Sequence, residues 1–547
     1  MRKLREPKIV MEPERLGGLF GSRLSFARTF LRALTKGRHT IELDITNLDA
    51  KGYGHCVYNL RGTKGFYSLV IFSQEVSAHE RTDRVIATKW DISCGLLLGK
   101  VTPDQIEMLS KQIPLQEAGT FTKEVLSLSR ANKSVATFDR CIKSLVDHTE
   151  DWGWLTKKGY LLRTSAVYGN RKFGIAAFED LHGTDFETPF LAQMAVVYML
   201  REFSFHLVES IASEQKGSPC SLPLEVKRNM GVGNATGLGM VTFFVRHPGL
   251  THQWIYVRET IRSEVLAMKP SREDWWAFAE YLKDVLIHLD ESEVSDKPTQ
   301  DTNSRIKDEV QVLLEAMALG EGWTEDWQGF LERVQPRLHH ATEELVVNLL
   351  MEVYPDTVDS KKDQMAFDES LELDETTTVS ALRRGMEKRY KWILQSSLDS
   401  TPDRYWYESI HKKEPSFCPY REKNEALGKP LNIGLYSDII KLYQDLGSYP
   451  ATTQMGVFLA DHPWYRPLAT RVYLTAPLDY SEWRGNLLSN RESPLHLLRL
   501  KLSFLGAQKF DPRSDRWIRV TFFQGAPLAN EFCPESHLWS FAKNSPA

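Results

Sequence analysis

At 547 residues, the chain exceeds the size at which one hydrophobic core keeps growing, so we expect two to four domains of about 150 residues each. Hydrophobic residues make up 42% of the chain and charged residues 26%, and 68 Lys plus Arg nearly balance 72 Asp plus Glu. This composition excludes wholesale disorder and argues against a dedicated nucleic-acid-binding protein, which usually has a basic excess.

The compartment expected from the sequence is a reducing cytoplasm. The basic N-terminus is not followed by an apolar segment of signal-peptide length, and no run of about 18 apolar residues predicts a membrane helix. The six cysteines lie far apart without a C-x-x-C pair, and the histidines include no H-E-x-x-H pair. We therefore predict no membrane span, no disulfide framework and no metal site.

The first predicted elements are strands. Residues 40–72 contain three short apolar runs separated by K-G-Y-G and R-G-T-K-G, and turns this short join neighbouring antiparallel strands. Thr102 followed by Pro103 then predicts the start of a helix, since a capping residue precedes a proline at the first helical position. The same pattern of a capping residue followed by proline, at Thr188 and Pro189, predicts the start of a long apolar helix that runs toward Ile211.

The middle of the chain is predicted to be helical between two linkers. Ser271 begins a helix with Asp274 as its capping partner, and the amphipathic segments 306–319 and 342–354 follow. The polar residues 291–304 and the acidic residues 355–379 are expected to be linkers. The C-terminal third is expected to contain helices at 436–446 and 494–502 and strands at 470–474 and 517–523.

The fold class expected from these elements is α+β with several domains. The expected domains are residues 1–290, which carry an antiparallel meander and a Gly-rich loop, a helical segment at 305–354, and a mixed region at 380–547.

The first candidate binding motif is R-T-D-R at residues 81–84. Arg81 and Arg84 flank an aspartate and could clamp a carboxylate or phosphate bidentately. A solvated salt-bridge cluster at a helix start is the alternative explanation.

The second candidate motif is S-R-A-N-K-S at residues 129–134. If a helix begins near Asn132, its free N–H groups together with Arg130 and Lys133 form an anion site. An ordinary capped helix with exposed basic residues explains the motif equally well.

The third candidate motif covers residues 163–174, where a strand is predicted to enter a Gly-Asn turn. Arg163 is a candidate ligand-binding residue, and Tyr168 and Lys172 could act as acid and base. A solvent-facing hairpin is the alternative.

The most specialised stretch is G-V-G-N-A-T-G-L-G-M at residues 231–240, in which four glycines favour close backbone approach or positive φ. We predict a loop followed by a helix that begins at Leu238, with loop amides and helix N-terminus converging on one anionic group. The candidate ligand-binding residues are Gly231, Gly233, Asn234, Thr236 and Gly237, with Arg228 as counter-charge and His247 as a proton-transfer residue. The alternative is a packing corner that lets residues 240–245 lie against the long helix.

The motifs R-T-D-R-V-I-A, S-R-A-N-K-S, A-V-Y-G-x-x-K-F-G and G-x-G-N-A-T-G-L-G-M together resemble a family of uncharacterised bacterial proteins. The C-terminal F-D-P-R-S-D-R-W and F-Q-G-A-P fit the same pattern, so the resemblance covers most of the chain. The resemblance implies a soluble bacterial protein and transfers no activity or catalytic residue.

The leading functional hypothesis is a cytoplasmic enzyme that acts on a small anionic metabolite bearing a carboxylate or phosphate. The sequence identifies neither the cofactor, if one is used, nor the reaction type. The rival hypothesis is a non-catalytic binding or assembly protein, in which the helices after Ser304 and the aromatic segment 405–407 form protein contacts, including contacts within a homo-oligomer.

Overall fold

The computed structural model describes the chain with these exceptions: residues 1–3, 13–14, 17–21, 78, 81–88, 113–124, 165–180, 187, 238–246, 292–296, 322, 324, 368–370, 396–404, 409–414, 419–428, 432–434, 483–498, 501–502, 515–516 and 533–547. The chain forms two compact units, each composed of three separate stretches. The sheet unit comprises residues 18–237, 265–358 and 502–547, and the helical unit comprises residues 1–17, 238–264 and 359–501. The fold is α+β and multi-domain, as expected.

The sheet unit contains a nine-stranded sheet with the order β1-β2-β3-β4-β5-β6-β7-β12-β11. The strands are β1 (Thr40–Leu48), β2 (Gly54–Arg61), β3 (Phe66–Ser73), β4 (Ile92–Leu98), β5 (Val125–Lys133), β6 (Tyr160–Thr164), β7 (Gly231–Gly237), β11 (Lys509–Ser514) and β12 (Trp517–Phe522). Only the β6–β7 pair among them is parallel. The meander predicted over residues 40–72 is confirmed as β1 to β3.

The turn between β1 and β2 depends on glycine. Gly54 has a φ of 135°, and a Cβ atom at this position would lie 2.0 Å from the Asn47 carbonyl oxygen. A side chain is therefore excluded from the first position of β2 by sterics as well as by backbone conformation.

Eleven α-helices whose bounds the structure describes lie wholly or mostly in the sheet unit. They are α2 (Phe26–Thr35), α3 (Pro103–Gln112), α4 (Phe138–Val146), α5 (Gly153–Lys158), α6 (Pro189–Lys216), α7 (Leu224–Arg228), α9 (Arg272–Glu291), α10 (Lys297–Ala318), α11 (Trp327–Val334), α12 (His340–Val353) and α13 (Pro355–Asp359). In the helical unit, α1 (Pro7–Val10) and α8 (Pro248–Leu266) precede the elements given below.

The long helix predicted from Thr188 and Pro189 is confirmed as α6, whose 28 residues connect β6 to β7 and pack against β5, β6 and β7. Thr188 Oγ1 accepts a hydrogen bond from the Leu191 N–H, and Gly217 ends the helix in the left-handed conformation. No helix in the described part of the chain has the length and apolar composition needed to cross a membrane.

The two sides of the sheet have different neighbours. A row of directly opposite residues crosses β1 to β5: Thr46, Cys56, Ile71, Cys94 and Ser129. Opposite residues share one side of an antiparallel sheet, and Thr46 Oγ1 lies 3.2 Å from His206 Nε2 of α6, so this row marks the α6 side. Leu128 lies on the other side and shares a buried cluster with Ile106 and Leu109 of α3, which marks the α3 side.

Helices α9 and α11 bury an aromatic cluster. Trp275 stacks on Trp327 with ring centroids 5.4 Å apart, and Trp327 Nε1 donates a hydrogen bond to Tyr354 Oη at 2.7 Å. The predicted capping of α9 is confirmed, since Ser271 N donates to Asp274 Oδ2 and Asp274 N donates to Ser271 Oγ. Residues 297–304, which we expected in a linker, instead form the first turns of α10.

The helical unit has its own core. After residue 375 its helices are α14 (Val379–Arg389), α15 (Lys391–Leu394), α16 (Tyr436–Leu446), α17 (Met455–Asp461) and α18 (Arg466–Thr475). It also contains a three-stranded sheet with the order β10-β8-β9, formed by β8 (Tyr405–Glu408), β9 (Pro415–Cys418) and β10 (Lys429–Leu431). Residues 470–474 are helical rather than the predicted strand, because Leu468 and Val472 bury one face of α18. The helix predicted at 436–446 is confirmed as α16.

Candidate functional site

The described parts of three of the four candidate motifs lie on neighbouring strands of the sheet unit. Residues 129–133 belong to β5, Arg163 belongs to β6, and residues 231–237 form β7. The helix start predicted near Asn132 is therefore wrong, and the predicted Gly-rich loop is a strand up to Gly237. The helix predicted from Leu238 lies outside the described residues.

The strand register brings the motifs to one level of the sheet. Arg163 lies opposite Asn132 on its antiparallel neighbour and opposite Gly233 on its parallel neighbour. Residues that are far apart in sequence thus form a transverse row across β5, β6 and β7.

Arg130, Asn132 and Arg163 lie on the α3 side of the sheet. Arg130 and Asn132 alternate with Leu128 along β5, and Arg163 is directly opposite Asn132. Lys133 lies on the α6 side, where its Nζ is 5.2 Å from the ring centroids of both Tyr53 and Phe138. The sheet thus separates Lys133 from Arg130, with which the sequence motif grouped it, and from Arg163.

Asn132 positions the segment that leads into β4. Its Oδ1 accepts a hydrogen bond from Asp91 N at 2.9 Å, and its Nδ2 donates to the Lys89 carbonyl at 3.3 Å. In return, Asp91 Oδ2 accepts from Lys133 N at 3.0 Å. Because both ends of the Asn132 amide are already engaged, this residue orients its neighbours instead of offering groups to a ligand.

Two further polar groups lie beside Arg130. Ser93 is directly opposite Arg130, so both side chains are on the α3 side. The Arg130 guanidinium carbon lies 5.8 Å from the centroid of the Trp90 ring. The Trp90 Nε1 and Ser93 Oγ atoms are buried and have no hydrogen-bond partner among the described residues. We call Trp90, Ser93, Arg130 and Arg163 the arginine patch.

Asn234 links β7 to the end of β6. Its Nδ2 donates a hydrogen bond to the Thr164 carbonyl at 2.6 Å, and its side chain is buried. Within the described chain, the Oδ1 atom of Asn234 has no hydrogen-bond partner. Burying an acceptor in this way is unfavourable unless another group donates to it.

The glycines of β7 allow close packing between protein segments. A Cβ atom on Gly231 would lie 2.2 Å from the Phe522 carbonyl oxygen of β12, and one on Gly233 would lie 2.7 Å from the Tyr160 ring. Neither glycine has a positive φ. A packing role was the alternative explanation of the motif, but the segments packed here are β12 and Tyr160.

Arg228 pairs with a carboxylate of the same unit. Its Nε and Nη2 donate to Glu531 at 3.1 and 2.8 Å, and this hydrogen bond raises the Arg228 pKa. Burial alone would raise the Glu531 pKa, but hydrogen bonds from Arg228 and the Leu528 amide outweigh burial and lower it. The counter-charge predicted for a ligand is thus already engaged by Glu531.

Arg201 of α6 is an important residue that the sequence analysis missed. Its guanidinium is completely buried and donates to five carbonyl oxygens, those of Lys227, Arg228, Met230, Ala526 and Pro527. These carbonyls precede β7 and follow β12, which is the same end of this antiparallel pair, so Arg201 fixes that end of the strand pair to the long helix. A lone arginine inside a long apolar segment was the signal that could have identified it.

His247 belongs to the helical unit, whereas the Gly-rich strand belongs to the sheet unit. The His247 carbonyl accepts hydrogen bonds from the Thr251 N–H and hydroxyl, so it caps the start of α8. Its side chain is buried.

Several predicted residues cannot be located. Arg81, Arg84, Tyr168 and Lys172 lie outside the described residues. The backbones of Thr236 and Gly237 lie at the end of β7, opposite Ile518 and Trp517 of β12. Residues 511–514 lie in β11, so the polar C-terminal motif joins the same sheet as the Gly-rich strand.

The chain matches no protein-family model, no curated protein and no solved structure. Across the residues that the structure describes, no group of three or more His, Cys, Asp or Glu side chains could hold a metal ion. The candidate site is therefore defined by its geometry alone.

Proposed function

We propose that the sheet unit binds a small anionic metabolite, bearing a carboxylate or a phosphate, at the arginine patch. The observation that carries this proposal is the convergence of Arg130, Ser93 and Trp90 on the α3 side of β4 and β5. Guanidinium, hydroxyl and indole N–H groups are all hydrogen-bond donors, and a cluster of donors complements an anion.

The charge of the strands supports an anion over a cation. Strands β4 to β7 carry two basic residues on the α3 side, Arg130 and Arg163, and these strands contain no Asp or Glu. Asp91, immediately before β4, is the nearest carboxylate in sequence, and one of its oxygens accepts the Lys133 N–H. Guanidinium groups bind carboxylates and phosphates through paired, charge-assisted hydrogen bonds.

The proposal extends to binding and not to a reaction step. Tyr168 and Lys172 follow β6 directly in sequence but lie outside the described residues, and His247 belongs to the other unit. An enzymatic role therefore remains the hypothesis drawn from the sequence, with no residue placed at a reacting atom.

Thermal unfolding against matched ligand pairs tests the proposal. Each pair consists of an anion and its neutral counterpart, for example a carboxylate with its amide or a phosphomonoester with its parent alcohol. A ligand at ~100 times its Kd stabilises the native state by about 2.7 kcal/mol. The proposal predicts that one class of anion raises the melting temperature and that its neutral counterpart does not. Equal shifts from both members of every pair, or none, would count against it.

A further inference from the structure

Gln193 is an unusual residue in the interior of α6. Its side chain is fully buried, and neither Oε1 nor Nε2 has a hydrogen-bond partner among the described residues. Buried carboxamides in native proteins are almost always paired, so this side chain requires an explanation.

The helix geometry directs Gln193 toward the sheet. Gln193, Leu207 and Ile211 share one stripe of α6, since they are separated by multiples of the helical repeat. Leu207 and Ile211 lie directly beneath Gly52 in the turn between β1 and β2, where an added Cβ would be 2.7 to 2.8 Å from their side chains. Gln193 therefore lies on the side of α6 that faces the sheet.

Ser127 of β5 lies on the opposing surface. It is two residues from Ser129, which belongs to the row that marks the α6 side. The Ser129 and Thr164 hydroxyls form a hydrogen bond with each other at 3.0 Å. The buried Ser127 Oγ, in contrast, has no hydrogen-bond partner within the described chain. The interface between α6 and the sheet thus contains a carboxamide and a hydroxyl, both buried and both unsatisfied.

We propose that Gln193 and Ser127 belong to an internal site for a neutral occupant that both donates and accepts hydrogen bonds. A carboxamide and a hydroxyl carry no charge and offer donors as well as acceptors, which suits a hydroxyl or amide group or ordered water and does not suit an ion. The sheet separates this site from the arginine patch, so the inference is independent of the proposed function.

This inference is tested by whether removing the polar atoms of Gln193 lowers or raises the melting temperature. Gln193→Met keeps the side-chain volume nearly unchanged and removes both polar atoms. If an occupant pairs with Gln193, the variant melts at a lower temperature than the wild type, because the occupant loses its partner. If the carboxamide is unpaired, the variant melts at a higher temperature, which would overturn the proposal. Gln311→Met, on the exposed face of α10, is the matched control and should leave the melting temperature unchanged.

A crystal structure of the wild-type protein identifies the partner, and it serves equally if Gln193→Met fails to fold. Non-protein density within hydrogen-bonding distance of the Gln193 carboxamide supports the proposal, and a protein group in that position overturns it. Native mass spectrometry then separates the two sources of the same chemistry. A constant added mass indicates a retained neutral small molecule, and a mass equal to that of the chain indicates water.

Discussion

Asn132 and Arg163 lie directly opposite each other on the antiparallel strands β5 and β6, with both side chains on the α3 side of the sheet. Arg163 is 2% exposed, and Asn132 is fully buried. This pairing links two motifs that the sequence suggested separately. It also assigns them different roles, because Asn132 orients the segment before β4 while the arginines supply donors.

The hydrogen bonds of Asn132 predict a measurable loss of stability on their removal. Asn132→Ala leaves the buried Asp91 N–H without its acceptor, and we expect a loss of about 1 to 3 kcal/mol in the free energy of unfolding. Urea denaturation followed by circular dichroism measures this change. Gln311→Ala, at an exposed position of α10, should stay within about 0.5 kcal/mol of wild type. Equal stabilities for both variants would contradict the role given to Asn132.

Arg201 and Arg228 form a matched pair for a second prediction. Arg201→Met removes the buried guanidinium that donates to five carbonyl oxygens, of which those of Lys227, Arg228 and Pro527 keep a second donor, and we expect a loss of about 3 to 5 kcal/mol or failure to fold. Arg228→Met breaks an ion pair in which the arginine is 49% exposed, and we expect less than about 1 kcal/mol. Denaturant midpoints of the two variants check the contrast. If Arg228→Met proved the more damaging change, the account of how β7 is anchored would be wrong.

The packing of β7 against β12 predicts that Gly231 accepts no side chain. Gly231→Ala places a Cβ at 2.2 Å from the Phe522 carbonyl, so the two strands must separate locally, and we expect a loss of about 1 to 3 kcal/mol. Gly153→Ala, at the first position of α5, is the control. Its nearest contact is the Asp151 carboxylate at 3.3 Å, which can adjust. Differential scanning calorimetry of both variants measures the difference. A wild-type melting temperature for Gly231→Ala would refute the packing role.

His252 predicts a pH dependence of stability in the helical unit. Its ring stacks between Tyr256 and Tyr480, and its Nδ1 accepts a hydrogen bond from Tyr480 N at 2.9 Å. Burial, together with repulsion from Arg389, lowers its pKa to about 4, while Asp479 acts in the opposite direction. The unfolded histidine, with a pKa near 6.5, therefore binds more protons than the folded one between these two values.

Neutral His252 contributes about 3 kcal/mol to the free energy of unfolding. This contribution is fully present above about pH 6.5 and is lost as the pH falls toward 4. Since carboxylates also titrate in this range, the measurement compares wild type with His252→Gln. We expect the wild type to lose more stability than the variant between pH 7 and pH 4. Parallel pH profiles for the two proteins would show that His252 does not contribute.

The elements that the sequence predicted correctly have strong local signals. The capping pair of Ser271 and Asp274 and the Thr188–Pro189 start of α6 depend on residues within one helical turn. The turns of the meander likewise require glycine at specific positions. Such signals act before tertiary packing and can therefore be recognised in a single sequence.

The elements that the sequence missed are determined by distant contacts. Strand β5 has polar residues on both sides of the sheet, so the alternation typical of strands does not appear in S-R-A-N-K-S. Strand β7 is rich in glycine, which disfavours strands, and it forms because β12 and Tyr160 pack closely against it. The R-V-Y-L-T run at 471–475 has strand-forming residues but is helical, because its apolar positions bury one face of α18. The arginine patch depends on the same long-range pairing, and only the register of β4 with β5 brings Ser93 beside Arg130.

The central claim is that Arg130 contacts the anion, and the most direct test is calorimetric titration of Arg130→Gln with the ligand found in the matched screen. Arg130 is only half-buried, so the variant should fold, unlike changes at Arg163. Loss of a charge-assisted partner costs about 1.5 to 3 kcal/mol, so we expect affinity to fall about tenfold or more.

Arg140→Gln is the matched control, because Arg140 also lies over an indole, that of Trp154 at 4.0 Å, but away from the patch on an exposed face of α4. Weakened binding in Arg130→Gln alone is the predicted result. Unchanged affinity in a folded Arg130→Gln protein, or equal weakening in both variants, would contradict the proposed site.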